Sequence, residues 1–180
     1  MNQLYLTQGK VDSLLDSPDS SYSYVCSVVS DIDVKTVMDN VKSYVIANPS
    51  CNYSAITALV AAQETYARAN IIGSDLDITL TFLRTFEKSS YLWTPVPRGG
   101  LGLGLSFFGE LPEEEQVVSV DYINWNLIAW SDGAGAARAL YLVWVAAAGG
   151  PIGWAAAAGG IGMSAAYASG ATLLGQLLLT

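Results

Sequence analysis

Hydrophobic and polar positions follow two periods along this chain. Residues 22–29 (YSYVCSVV) interleave aromatic and β-branched residues with serine, and Leu4-Tyr5-Leu6-Thr7 is a short β-rich run; both predict strands. Residues 10–21 between them are polar, with Asp and Ser in turn-forming clusters around Pro18. The period then lengthens. Val34, Val37, Met38, Val41 and Val45 recur at three- and four-residue spacing behind Asp31 or Asp33, and Pro49 closes the run, which predicts a capped helix. A second helix is expected over residues 54–72, with Ile56, Leu59, Val60, Ala67 and Ile71 on one face and Gly73 as its C′ glycine.

Residues 75–88 satisfy both periods. Leu76, Ile78, Leu80 and Phe82 alternate as in a strand, whereas Leu76, Leu80, Leu83 and Phe86 form a helical stripe behind a Ser74–Asp77 capping-box pattern. The threonines and isoleucine tilt the reading to strand. Pro95, Pro97, Gly99 and Gly100 break regular structure, and Leu-Gly alternation follows, which marks a first candidate boundary. Pro112 and the solvated run Glu113, Glu114 and Glu115 come next, then a loosely alternating stretch to Trp125. Ser131-Asp132-Gly133 signals a turn or helix start and a second boundary. The expected architecture is a small α+β domain over residues 1–132, with a Gly/Pro-rich segment at 90–112, followed by a Gly/Ala-rich helical hairpin over residues 133–180.

Charge sharpens this division. The chain of 180 residues has 16 acidic and 8 basic residues, and all of them lie in residues 1–138. The last 42 residues carry none, and a single bilayer crossing needs only ~20 apolar residues. Two passes are therefore expected, turning at Gly149-Gly150-Pro151 or at Gly159-Gly160. A single span that leaves the other half buried or amphipathic is the alternative. Small residues recur there at four-residue spacing: Gly149 with Gly153, Ala155 with Gly159, and Gly162, Ala166 and Gly170. In lipid such positions let helix backbones approach and associate. Tyr141, Trp144, Trp154 and Tyr167 are candidates for the membrane interface. Arg138, under the positive-inside rule, puts the preceding domain on the cytoplasmic side. The same composition also suits helices buried between protomers of a soluble assembly, since alanine is the best soluble helix former.

Candidate chemistry is sparse. A net charge of −8 with no Lys/Arg cluster argues against nucleic-acid binding. The chain has no histidine, which removes His-based triads and His-ligated metals. Cys26 and Cys51 are too few for a structural zinc site; they are either buried thiols or one disulfide closing a loop of about 25 residues, worth ~3 kcal/mol. The opening residues lack the pattern of a secretory signal, so neither that disulfide nor the Asn52-Tyr53-Ser54 sequon is expected to be used. The Gly-rich stretch at 99–109 fails the dinucleotide fingerprint at Phe107 and contains no P-loop lysine. Asp31 with Asp33 and Asp75 with Asp77 lack the third ligand of a calcium loop. No catalytic residue, cofactor or metal is expected. The expected function is membrane insertion with self-association, pore formation being its sharpest form. The expected partners are a lipid bilayer and further copies of the chain. The alternative is a structural subunit of a homo-oligomeric filament, shell or membrane complex.

Overall fold

The computed structural model describes residues 17–29, 31–103 and 123–147. They form five α-helices: α1 (Ser17–Val28), α2 (Ile32–Ala47), α3 (Tyr53–Asn70), α4 (Gly73–Trp93) and α5 (Trp125–Ala147), with a 3-10 turn at Val96–Arg98. Among the described residues there is no strand, so the architecture is all-helical and not α+β.

The strand expectations at residues 22–29 and 75–88 are corrected for one reason, that burial selected the helical face, and the short strand expected at residues 4–7 lies outside the described residues. In α1, Pro18 sits in the first turn, where its missing N–H costs nothing. Val25 enters the core, and Tyr22 packs against it. In α4, Ile78, Phe82, Leu83 and Phe86 are buried, a helical stripe that a strand would split between two faces. Thr79 is accommodated because its hydroxyl donates to the Asp75 carbonyl at 2.7 Å. The expected capping box is not made; Ile72 precedes α4 with no side-chain cap, and Gly73 opens α4 at φ +61°. Helix α2 forms as expected, with Asp31 accepting from the Asp33 N–H at 2.8 Å and all five predicted core positions buried. In α3 the cap is Asn52, whose side chain accepts from the Ala55 N–H at 2.9 Å.

Helix α5 is the centre of the bundle. Nearly every position from Trp125 to Ala139 is buried, and a helix apolar and buried all round is an interior helix. It packs chiefly against α4, and also against α1 and α2. Asn124 fixes where it begins: its side chain accepts from the Leu127 N–H at 3.1 Å and donates to the Val45 carbonyl at the end of α2 at 2.9 Å. Ser131-Asp132-Gly133, expected as a turn or helix start, is neither: α5 runs through it.

Candidate functional site

The polar and small residues that join α5 to α4 form the best-defined cluster among the described residues. Asp132 is the single charged residue between Asp121 and Arg138. It is 6% exposed, and burying a polar group requires hydrogen-bond partners. Helix α4 supplies them. The Ser89 hydroxyl and the Trp93 indole N–H, the latter at 3.1 Å, both donate to the same carboxyl oxygen of Asp132. Nearly two turns towards the start of α5, Asn126 donates to the Cys51 sulfur at 3.2 Å, and the Thr94 hydroxyl donates to the Asn126 side-chain oxygen at 3.4 Å. The Trp93 and Trp125 rings stack over this polar seam at 6.1 Å. The Ser90 hydroxyl is fully buried beside it without a hydrogen-bond partner.

The next residue explains the close approach. A Cβ on Gly133 would stand 2.9 Å from the Phe82 carbonyl oxygen and ring, so α4 and α5 cross at a distance only glycine permits. Ala134, Ala136 and Ala137 continue a small-residue surface into the bundle. Trp130, buried between α4 and α2, meets Phe82 edge-on at 6.5 Å and donates its indole N–H to the Met38 carbonyl at 3.2 Å.

Cations line the other side of α5. The Lys42 ammonium lies 4.8 Å from the Trp130 ring and 5.4 Å from the Tyr22 ring, and the Arg138 guanidinium lies 5.0 Å from the Tyr24 ring. The Tyr22 hydroxyl donates to Asp39, which also pairs with Lys35 at 2.6 Å. Burial, reinforced by the hydrogen bond to Asp39, pushes the Tyr22 hydroxyl up to about 12. Burial also raises the Cys26 and Cys51 thiols, and both cysteines are free.

The structure places Tyr141 against Tyr24, ring centroids 6.0 Å apart, on the bundle. Trp144 lies in the last turns of α5. Gly149, Gly153, Trp154, Ala155, Gly159, Gly162, Ala166, Tyr167 and Gly170 lie outside the described residues. Among the described residues no helix is long and apolar enough to cross a membrane, and no group of three His, Cys, Asp or Glu is arranged to hold a metal ion. Sequence alone does not mark Asp132 and Gly133 as a helix–helix lock; it reads them as a turn or helix start. The available signal was one acid isolated in an apolar run, which a buried helix tolerates only with partners.

The chain matches no protein-family model, no curated protein and no solved structure.

Proposed function

We propose that this chain is a membrane-inserting, self-associating protein, in which a helical bundle carries an uncharged Gly/Ala helical hairpin that assembles into a pore. One observation carries the reading: α5, the interior helix, continues without a break to Ala147, nine residues into the stretch from Ala139 to Thr180 that contains no charge. Its two charged residues are engaged before that stretch begins, Asp132 by Ser89 and Trp93 and Arg138 by the Tyr24 ring. The uncharged residues beyond them face no comparable penalty for leaving water. Weak hydrophobicity suits a segment that must stay soluble until released, and the four-residue spacing of Gly162, Ala166 and Gly170 suits association once inserted.

Purified full-length protein is expected to release dye from lipid vesicles. Gly162→Leu with Gly170→Leu should cut release about tenfold, the effect of ~1–2 kcal/mol lost at the helix contact. Unchanged release removes the small-residue argument. A second reading, a structural subunit with its Gly/Ala helices buried between protomers, is favoured by Gly133, where a small residue serves tight helix packing inside protein. Detergent-free recovery as a large homogeneous assembly without vesicle leakage supports that reading against the first.

A further inference from the structure

Asp132 is a buried acid on an interior helix, with Ala129, Trp130, Ala134 and Ala136 of α5 buried around it in the sequence. Helix α4 supplies two donors to one of its carboxyl oxygens, the Ser89 hydroxyl and the Trp93 indole N–H at 3.1 Å. An indole N–H can only donate, so that oxygen stays an acceptor. Such hydrogen bonds are roughly twice as strong to an ionised carboxylate as to a neutral one. At Gly133, the next residue, a Cβ would stand 2.9 Å from the Phe82 carbonyl oxygen. The crossing of α4 and α5 is therefore held by charge-assisted hydrogen bonds at one position and by close backbone contact at the next.

Withdrawal of α5 exchanges this polar seam for the bilayer. A crossing needs ~20 residues, so an arm that turns at Gly149-Gly150-Pro151 reaches back to about Trp130 and carries Asp132 into the hydrocarbon. A charged carboxylate is costly there, and the donors of α4 do not travel with it. One proton from solvent on that carboxylate lowers both costs. The bonds given up to Ser89 and Trp93 are weaker, and the side chain that enters lipid has no charge. The proton thus favours the withdrawn helix over the bundled one, and by linkage acid shifts the balance towards withdrawal.

The other titratable and charged groups on the helices packed against α5 have partners of their own. On α4, the Glu87 carboxylate lies 3.9 Å from the Lys88 ammonium, and Arg84 pairs with Glu64 of α3 at 2.8 Å. On α1, the Tyr22 hydroxyl donates to Asp39 and is hydrogen-bonded with the Cys26 thiol, and the Tyr24 ring carries the Arg138 guanidinium. On α2, Lys35 pairs with Asp39, and Lys42 lies over the Tyr22 and Trp130 rings. Asp31 and Asp33 at the start of α2, and Asp75 and Asp77 in the first turns of α4, act on insertion through repulsion by a charged surface, which salt screens. Asp132 differs from them in its burial and in its donors on the neighbouring helix.

We infer that the contact of Asp132 with Ser89 and Trp93 is an acid-released latch: ionised, it keeps α5 in the bundle, and a proton on Asp132 frees the helix for insertion. The inference rests on the membrane-inserting function proposed above. The test is dye release by the full chain from phosphatidylcholine vesicles between about pH 7 and about pH 4, towards the ordinary carboxylate value of ~3.9. Lipid without net charge, in about 1 M salt that cuts the reach of exposed charges to ~3 Å, removes the repulsion of the surface acids. Release by the unmodified chain should rise by up to about tenfold per pH unit, the limit for a single proton. Asp132→Asn keeps an acceptor for Ser89 and Trp93 without the charge. It should release at neutral pH as fast as the unmodified chain does in acid, and its pH profile should be flat. Ser89→Ala removes one donor and leaves the carboxylate, so it should raise release at neutral pH and narrow the gain from acid without abolishing it. Circular dichroism shows whether each variant keeps its helices; where Asp132→Asn does not, Ser89→Ala carries the test. Release that ignores pH, an acid step that persists in Asp132→Asn, or an unaltered acid gain in Ser89→Ala overturns the latch and leaves membrane insertion standing. Absence of release at every pH overturns both.

Discussion

Tyr22 shows how one side chain ties three helices. It stands on α1, its ring meets Trp130 of α5 at 5.6 Å, and its hydroxyl donates to Asp39 of α2 while accepting from Lys35 at 3.0 Å. None of this is visible in sequence, because residues 17 and 13 positions apart are joined only by packing. The cluster has a pH signature at each end. Burial alone would pull the Asp39 carboxyl up, but the Lys35 ammonium and the Tyr22 hydroxyl outweigh it and hold it below the usual carboxylate value. Its contribution is present above the unfolded value of ~3.9 and lost as pH falls through the lower folded value. Tyr22 works in the opposite sense. Its folded pKa of about 12 stands above the unfolded value of ~10, so its contribution is full below pH ~10 and disappears as pH rises towards 12. Urea unfolding measured from pH 9 to 12 should show a loss of stability that is shallower in Tyr22→Phe. Parallel pH dependences in the two proteins would refute this origin.

At the scale of elements, legibility followed the strength of the local period. Helix α2 was readable because its five valine and methionine positions fit only a helix and Asp31 marks its start. Helix α3 is legible to within two residues, although in sequence its cap, Asn52, stands out only as part of a sequon. Helices α1 and α4 were misread as strands because serine, tyrosine, valine and threonine carry β-propensity, and burial against α5 overrode it. The lock at Asp132 and Gly133 was hidden for a different reason. Asp-Gly is a turn signal whenever the partner helix is unknown, and here α4 supplies the hydrogen bonds and the ring that make it the middle of a helix. That account makes Gly133→Ala a measurable insult. Its methyl would meet the Phe82 backbone, which cannot rotate away, so α4 and α5 must separate at their crossing. The expected loss is about 1–3 kcal/mol of unfolding free energy, the cost of overpacking a tight core. Gly73→Ala offers a comparison, since nothing lies near its Cβ and only the positive φ opposes the change. Equal or smaller loss at Gly133 would show that the crossing relaxes freely.

For the whole molecule, the acids gather at one end of the bundle. Helix α4 runs antiparallel to α5, since Trp93 stacks on Trp125 while Phe82 abuts Gly133. Helix α2 does so as well, since Asn124 reaches the Val45 carbonyl and Trp130 the Met38 carbonyl. Asp31 and Asp33 at the start of α2, and Asp75 and Asp77 in the first turns of α4, therefore lie towards the finish of α5 and outnumber Arg138 there. An anionic surface repels these carboxylates. Within the proposed membrane-inserting function, insertion that draws α5 out of the bundle must also break the Ser89–Trp93 lock on Asp132. Both costs predict a step between vesicle binding and release. Stopped-flow mixing with phosphatidylglycerol vesicles should show binding that rises with lipid concentration, whereas dye release should lag behind it and reach a rate independent of lipid once all protein is bound. Asp75→Asn with Asp77→Asn should shorten the lag, and so should high salt, which cuts the reach of exposed charges to ~3 Å at 1 M. Release that keeps pace with binding at every lipid concentration would mean that binding and insertion are one event and that α5 need not leave the bundle.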